Sequence, residues 1–330
     1  MLSRVAELTY WMSLYVERAE HVARMILVNS NVLIDVGDIA PSLEQNLWRG
    51  LLRVLHVDKH PKAEEILATG QGLAHRLCHF LTFDVDNPNS LVSCLTRARE
   101  NARSIRENIS AEMWEQLNTL YWSITGSDAK TRFEESPQDI YQQIMTGSFL
   151  FQGLTDQTIP HGQSWLFSQL AKHLERCDLT CRIIETKFEI LRAAEAELDE
   201  PLRNIHWMAV LRSCCSIEEF RRAYPGQMDP NQVVAFLILA HRFPRSISYS
   251  IRHAHEASTG IRATVNPQVA GQAERILARL RAQLENADPA EILTGNMSQL
   301  RTSNVQTYLR NVVGHVAVAG EAIQKAYFLR

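Results

Sequence analysis

No apolar stretch in this sequence is long enough to cross a membrane, and β-branched residues alternating with polar ones are almost absent. The first absence predicts a chain without a membrane span, and the second predicts an all-α fold. Net charge is slight as well. With 34 Lys and Arg against 37 Asp and Glu, the balance of −3 gives no argument for nucleic acid or an anionic membrane as partner. A phosphate-binding Gly loop, a Gly-x-Ser-x-Gly elbow, an HExxH motif and a recognisable Cys–His nucleophile pair are all missing, so no cofactor is expected. The start, Met1-Leu2-Ser3-Arg4, runs straight into an amphipathic pattern with acidic Glu7 and no small-residue cleavage site, which reads as no signal peptide. Of the cysteines Cys78, Cys94, Cys177, Cys181, Cys214 and Cys215, four lie in apolar helical stripes and two are adjacent. That usage suits reduced thiols in a cytoplasmic protein better than a disulfide framework.

What is present is a motif written twice. Tyr15-Val16-Glu17-Arg18-Ala19-Glu20-His21-Val22-Ala23-Arg24 is echoed by His173-Leu174-Glu175-Arg176-Cys177-Asp178-Leu179-Thr180-Cys181-Arg182. Met12, Val16, Ala19, Ala23 and Ile26 form one apolar stripe at helical spacing; Leu170, Leu174, Cys177, Cys181 and Ile184 form the other. A charged trio follows each stripe by one residue: Glu17, Glu20 and Arg24, then Glu175, Asp178 and Arg182. One residue is about 100° of helical turn, so each trio belongs at the edge of a buried face.

In chain order, the periodicity predicts a first helix to about Val32, then one carrying Trp48, then one from Pro61 to Phe80 weakened by Gly70 and Gly72. Asp86-Asn87-Pro88-Asn89-Ser90 stops the chain and starts a helix from Leu91 to about Asn108, on which Arg99, Arg103 and Arg106 share a face. Ser110 caps the next helix, Gly126-Ser127-Asp128 breaks it, and Pro137 opens one to about Gln152. After a loop from Gly153 to Gly162, the second motif lies on a helix to about Leu198. Pro201 starts another; Asp229-Pro230 opens one through His255, and further helices run from Val269 to Leu284 and Val305 to Phe328.

The repetition extends beyond the opening motif. Trp48 follows Glu17 by 31 residues and Trp207 follows Glu175 by 32; Pro88 precedes Arg103, and Pro230 precedes Arg245, by 15 each. These matched separations predict two related helical bundles from an internal duplication, 1–152 and 153–330, with Arg103 equivalent to Arg245.

The chain resembles the alpha-E domain family. The resemblance rests on Met1 to Glu7 with Tyr10-Trp11, on Glu17-Arg18-Ala19-Glu20 with Ala23-Arg24, and on Ala98-Arg99-Glu100-Asn101-Ala102-Arg103. It continues through Trp114-Glu115 with Asn118, Trp165, Phe167, Glu175-Arg176 and Phe243-Pro244-Arg245-Ser246. The sequence departs from the family pattern at Ser13-Leu14, at His21, where Asn is usual, and at Cys177. What the resemblance implies is mainly context: a partner among circularly permuted ATP-grasp ligases, in a peptide-modifying or amide-ligating system.

The candidate ligand- or partner-binding residues are Glu17, Arg18, Glu20, Arg24, Arg99, Arg103, Glu175, Arg176, Asp178, Arg182 and Arg245. Guanidinium groups grip carboxylates in a two-pronged fork, so trios meeting Arg99, Arg103 or Arg245 would suit a peptide or carboxylate ligand or an acidic partner. A structural ion-pair network fixing helix register is the competing reading. Metal binding is not expected, because the pairs His56/His60, His75/His79 and His253/His255 supply two ligands where a site needs more. The expected function is a non-catalytic binding or scaffold protein. An enzyme using Arg/Glu grooves for amide-bond chemistry is the alternative.

Overall fold

The computed structural model describes residues 3–36, 41–193, 200–264, 271–293 and 304–328, and among these there is no strand. The fold is all-α. The helices are α1 (Ser3–Val36), α2 (Pro41–Val54), α3 (Pro61–Thr69), α4 (Leu73–Phe83), α5 (Leu91–Ser104), α6 (Ala111–Thr125), α7 (Ala129–Glu135) and α8 (Pro137–Thr158). They continue as α9 (Gln163–Ala193), α10 (Glu200–Ser213), α11 (Ile217–Ala223), α12 (Pro230–Leu239), α13 (Ile247–Thr264), α14 (Gly271–Glu285), α15 (Pro289–Leu293) and α16 (Asn304–Ile323). Among the described residues no helix is long and apolar enough to cross a membrane.

Two compact units exchange chain segments. One gathers Met1–Asn31, Leu51–Lys172 and Tyr327–Arg330, and the other Val32–Gly50 and His173–Ala326. These compact units therefore follow a different division of the chain from the sequence-repeat boundary at 152/153, where helix α8 runs on without a break.

In the first unit the apolar stripe of α1 becomes core. Met12 and Val16 of α1 pack with Ala98 and Ala102 of α5, Met113 and Leu117 of α6, and Phe151 of α8. Hydroxyl caps set the starts of α5 and α6: Ser90 Oγ accepts from Ser93 N–H and Ser110 Oγ from Met113 N–H, each worth about 1 kcal/mol. Helices α6 and α8 approach closely because Gly147 has no side chain. A Cβ there would stand 2.6 Å from Leu120 Cδ2, and the Gly147 carbonyl accepts from the Gln116 amide at 3.0 Å.

The second unit buries Val233, Leu237, Ile251, Leu277, Leu280 and Leu309, with α14 packed against both α13 and α16. Trp48 and Trp207 are fully enclosed, and Trp207 meets Phe188 edge-on at 5.7 Å. Gly50 of α2 lies so near α9 that a Cβ would come within 2.5 Å of Ile190 Cδ1.

Four helix boundaries differ from the expectation. The single helix expected from Pro61 to Phe80 is two, because Gly70 and Gly72 both take left-handed φ, 68° and 58°. The helix expected through Asn108 ends at Ser104, and Arg106 falls in a 3₁₀ turn, so it does not continue the face of Arg99 and Arg103. The helix expected from Pro230 to His255 stops at Leu239. Pro244 lacks an amide hydrogen and disfavours helical geometry at Phe243, and α13 restarts under a Ser246 cap that accepts from Tyr249 N–H. Conversely, Gly153 does not end α8, which reaches Thr158.

Candidate functional site

Helix α1 carries the first trio into the interior of the first unit. Glu17 and Glu20 are 0% exposed, and His21 and Arg24 2%. The i, i+3, i+4 and i+7 spacing stacks them on one face, just beside the apolar stripe that fixes which way the helix turns. Each carboxylate divides its two oxygens between different partners. Glu17 Oε2 accepts from the Gln152 amide of α8, while Glu17 Oε1 stands 3.1 Å from His21 Nε2. Glu20 Oε1 pairs with the Arg24 guanidinium, and Glu20 Oε2 lies 3.6 Å from the same Nε2. Burial pulls the His21 pKa below its ordinary value against the opposing pull of Glu17. Arg18 points elsewhere: it donates to Asn89 Oδ1 at 3.0 Å, and the Asn89 amide donates to the Leu55 carbonyl at 2.9 Å. The Glu-Arg and Asn-Pro-Asn motifs, far apart in sequence, therefore meet.

The second trio is built more openly. Arg182 grips Asp178 with two hydrogen bonds, at 2.6 and 2.8 Å, and both side chains are about a quarter exposed. Glu175 is half-buried and Arg176 buried. Arg245 is buried in the turn before α13, where its carbonyl accepts from Thr180 of α9 at 3.0 Å.

The arginines of α5 and its following turn do not line a groove with the first trio. Arg103 is 66% exposed and pairs with Glu100 at 2.6 Å. Its expected equivalent Arg245 sits in a different local setting, in a turn rather than at a helix end. Arg99 joins an aromatic cluster instead: its guanidinium lies 4.6 Å from the Tyr121 ring, 5.4 Å from Trp114 and 5.9 Å from Trp122, and its Nε donates to Asn118. Arg106 reaches Trp114 from the adjoining turn. Trp114 is half-buried and Trp122 57% exposed.

Four residues went unread in the sequence. Gln152 carried no motif, and His21 registered only as a departure from a pattern. Lys187 and His206 form a buried contact between α9 and α10, Nζ to Nδ1, with nothing in spacing to connect them. Of the histidine pairs, His75 meets the Glu134 carboxylate at 3.0 Å. Among the described residues, ligating side chains come within 4.8 Å of one another at Glu17, Glu20 and His21.

Residues 1–328 match the family model Alpha-E, described as a predicted alpha-helical domain with a conserved ER motif. The chain belongs to the Alpha-E family. Glu17-Arg18, Glu175-Arg176 and Glu274-Arg275 are Glu-Arg pairs in this chain. Among curated proteins, uncharacterized proteins of Mycobacterium bovis and of two strains of Mycobacterium tuberculosis are 22%, 22% and 21% identical to this Alpha-E chain over 313 residues. The alignments cover 88% of the chain but 33% of each relative, so the chain spans about a third of the length of the relatives it matches. No solved structure matches.

Proposed function

We propose that this Alpha-E chain is a non-catalytic helical binding module that partners an ATP-grasp ligase in a peptide-modifying or amide-ligating system. The contact surface in this reading is the arginine–aromatic platform of α5 and α6. Arg99, held against Trp114, Tyr121 and Trp122, is the observation that carries it. Tryptophan, tyrosine and arginine dominate the energetics of protein interfaces, and stacking on aromatic rings fixes an arginine before any partner arrives. The relatives add support, since about two-thirds of each lies outside the matched region and gives the helical domain a polypeptide companion. A carboxylate-gripping enzyme fits less well. The guanidinium groups of Arg182 and Arg103 are engaged by Asp178 and Glu100, so a ligand would have to displace a neighbour. Further support for a duplicated origin comes from two parallels: the i, i+4 pairs Glu20–Arg24 and Asp178–Arg182, and the turns in which Asn87 and Asp229 accept from the amide two residues on.

Affinity capture with mass spectrometry tests the reading. Wild-type chain should retain an ATP-grasp protein, and Trp122→Ala or Arg99→Ala should lower recovery roughly tenfold or more while circular dichroism stays unchanged. Equal recovery by both variants would remove the platform from the interface. Turnover by the isolated protein without ATP or partner would sink the scaffold reading altogether.

A further inference from the structure

Arg99 is held more firmly than a staple between α5 and α6 requires, yet its hydrogen-bonding capacity is not used up. Its Nε donates to Asn118 Oδ1 at 2.7 Å, and the Asn118 amide in turn donates to the Trp114 carbonyl at 2.9 Å. The rings of Trp114, Tyr121 and Trp122 crowd the guanidinium, and the last two meet each other edge-on at 5.0 Å. Orientation is thereby set in the unbound chain. At the other end of the group, Nη1 reaches Glu100 Oε1 only at 3.5 Å, and Nη2 makes no hydrogen bond among the described residues. Glu100 is committed elsewhere, its other oxygen lying 2.6 Å from Arg103. The Nη1/Nη2 edge is therefore open to a carboxylate, which would grip it with two parallel hydrogen bonds and displace one long contact. The Arg99 side chain is 20% exposed, so the approach is from outside.

The neighbours narrow the chemistry. Arg106 borders the same Trp114 indole at 5.9 Å, and its Nη1 makes a long contact, 3.5 Å, to the Ile109 carbonyl. Trp122 is 57% exposed and offers an apolar face beside the charge. Along α5 and its following turn Arg97, Arg99, Arg103 and Arg106 outnumber Glu100 and Glu107, in a chain of net charge −3. Glu115 works against this excess: it is exposed, about 100° around α6 from Trp114, and would repel a run of acids. A single carboxylate flanked by apolar side chains meets both demands.

We propose that the platform recognises an acidic–apolar segment of a polypeptide partner. A Glu or Asp carboxylate of that segment sits on the Nη1/Nη2 edge of Arg99, and a neighbouring leucine or aromatic side chain covers Trp122. This rests on the platform being the contact surface, and it specifies what that surface reads.

Random heptapeptides displayed on phage and selected against the immobilised full chain test it. Recovered peptides should carry Asp or Glu next to Leu, Ile, Phe or Trp. Made synthetically with blocked ends, the strongest binder should lose affinity roughly tenfold when its acid is changed to the amide. The loss against Arg99→Lys, which keeps the charge and removes the fork, should be about as large. Binders that depend on Trp122 but carry no acid, or full affinity after the change to the amide, overturn the carboxylate and leave the platform standing. Failure to recover any peptide weakened by Trp122→Ala also overturns the proposal. The platform itself fails on a different measurement, equal capture of the ligase by Trp122→Ala and wild type. Should Arg99→Lys fail to fold, the acid-to-amide change against the native chain decides alone.

Discussion

Replacing Lys187 with methionine should stabilise the protein at neutral pH and flatten its stability between pH 7 and about pH 10. Lys187 is 5% exposed, and among the described residues its polar contact is His206 Nδ1 rather than a carboxylate. Burial alone pulls its pKa from 10.5 down to about 7. The unfolded chain therefore binds a proton that the folded chain refuses throughout that interval, and folding stability rises with pH across it. The wild type should gain on the order of 3 kcal/mol from pH 7 to 10, and Lys187→Met should already hold that stability at pH 7. Methionine matches the stem of lysine closely enough to avoid a cavity. His206 acts in the same sense at lower pH. Burial, reinforced by Lys187, holds its pKa far below the ordinary 6.5, so stability falls further as pH drops through 6.5 and below. Urea denaturation of both proteins at pH 7 and 10 measures the effect. Parallel pH dependences would show that Lys187 reaches solvent or an anionic partner in the folded state.

The second large effect separates the two copies of the motif. Arg24→Met should cost roughly 3–5 kcal/mol, because it strips a guanidinium from Glu20 where both side chains are buried from water. Arg182→Met removes the equivalent i, i+4 partner from Asp178, but that pair is about a quarter exposed and water can replace the guanidinium. Its cost should stay near or below about 1 kcal/mol. Chemical denaturation of the two variants beside wild type makes the comparison. Similar losses would mean that burial does not govern the strength of these pairs and that the motif does the same work in both places.

The helical class was legible because the apolar stripes are long and regular: Met12 to Ile26 and Leu170 to Ile184 lie buried as their spacing demands. Caps at Ser90, Ser110 and Asp229 were legible for a similar reason, since each depends on one side chain and an amide two or three residues away. Helix interruptions were harder. Gly70 and Gly72 weaken a helix in any reading, but whether the chain actually reverses there depends on what Leu67, Leu73 and Leu77 pack against. The candidate site was half visible. Periodicity places Glu17, Glu20 and Arg24 on one face, whereas the involvement of Gln152 requires knowing that α8 crosses α1 135 residues later. Arg103 shows what spacing leaves open. A matched 15-residue spacing paired it with Arg245, although a spacing carries no information about which side of a helix end each residue occupies.

The cysteines have a practical consequence. Five thiols are shut inside, while Cys215, in the left-handed turn after α10 with φ of 51°, is exposed. A maleimide dye applied to the native chain will therefore couple at one address without engineering. The remaining five thiols become reactive only as their surroundings open, so their slow modification after the first fast event is a clock for unfolding that needs no added reporter.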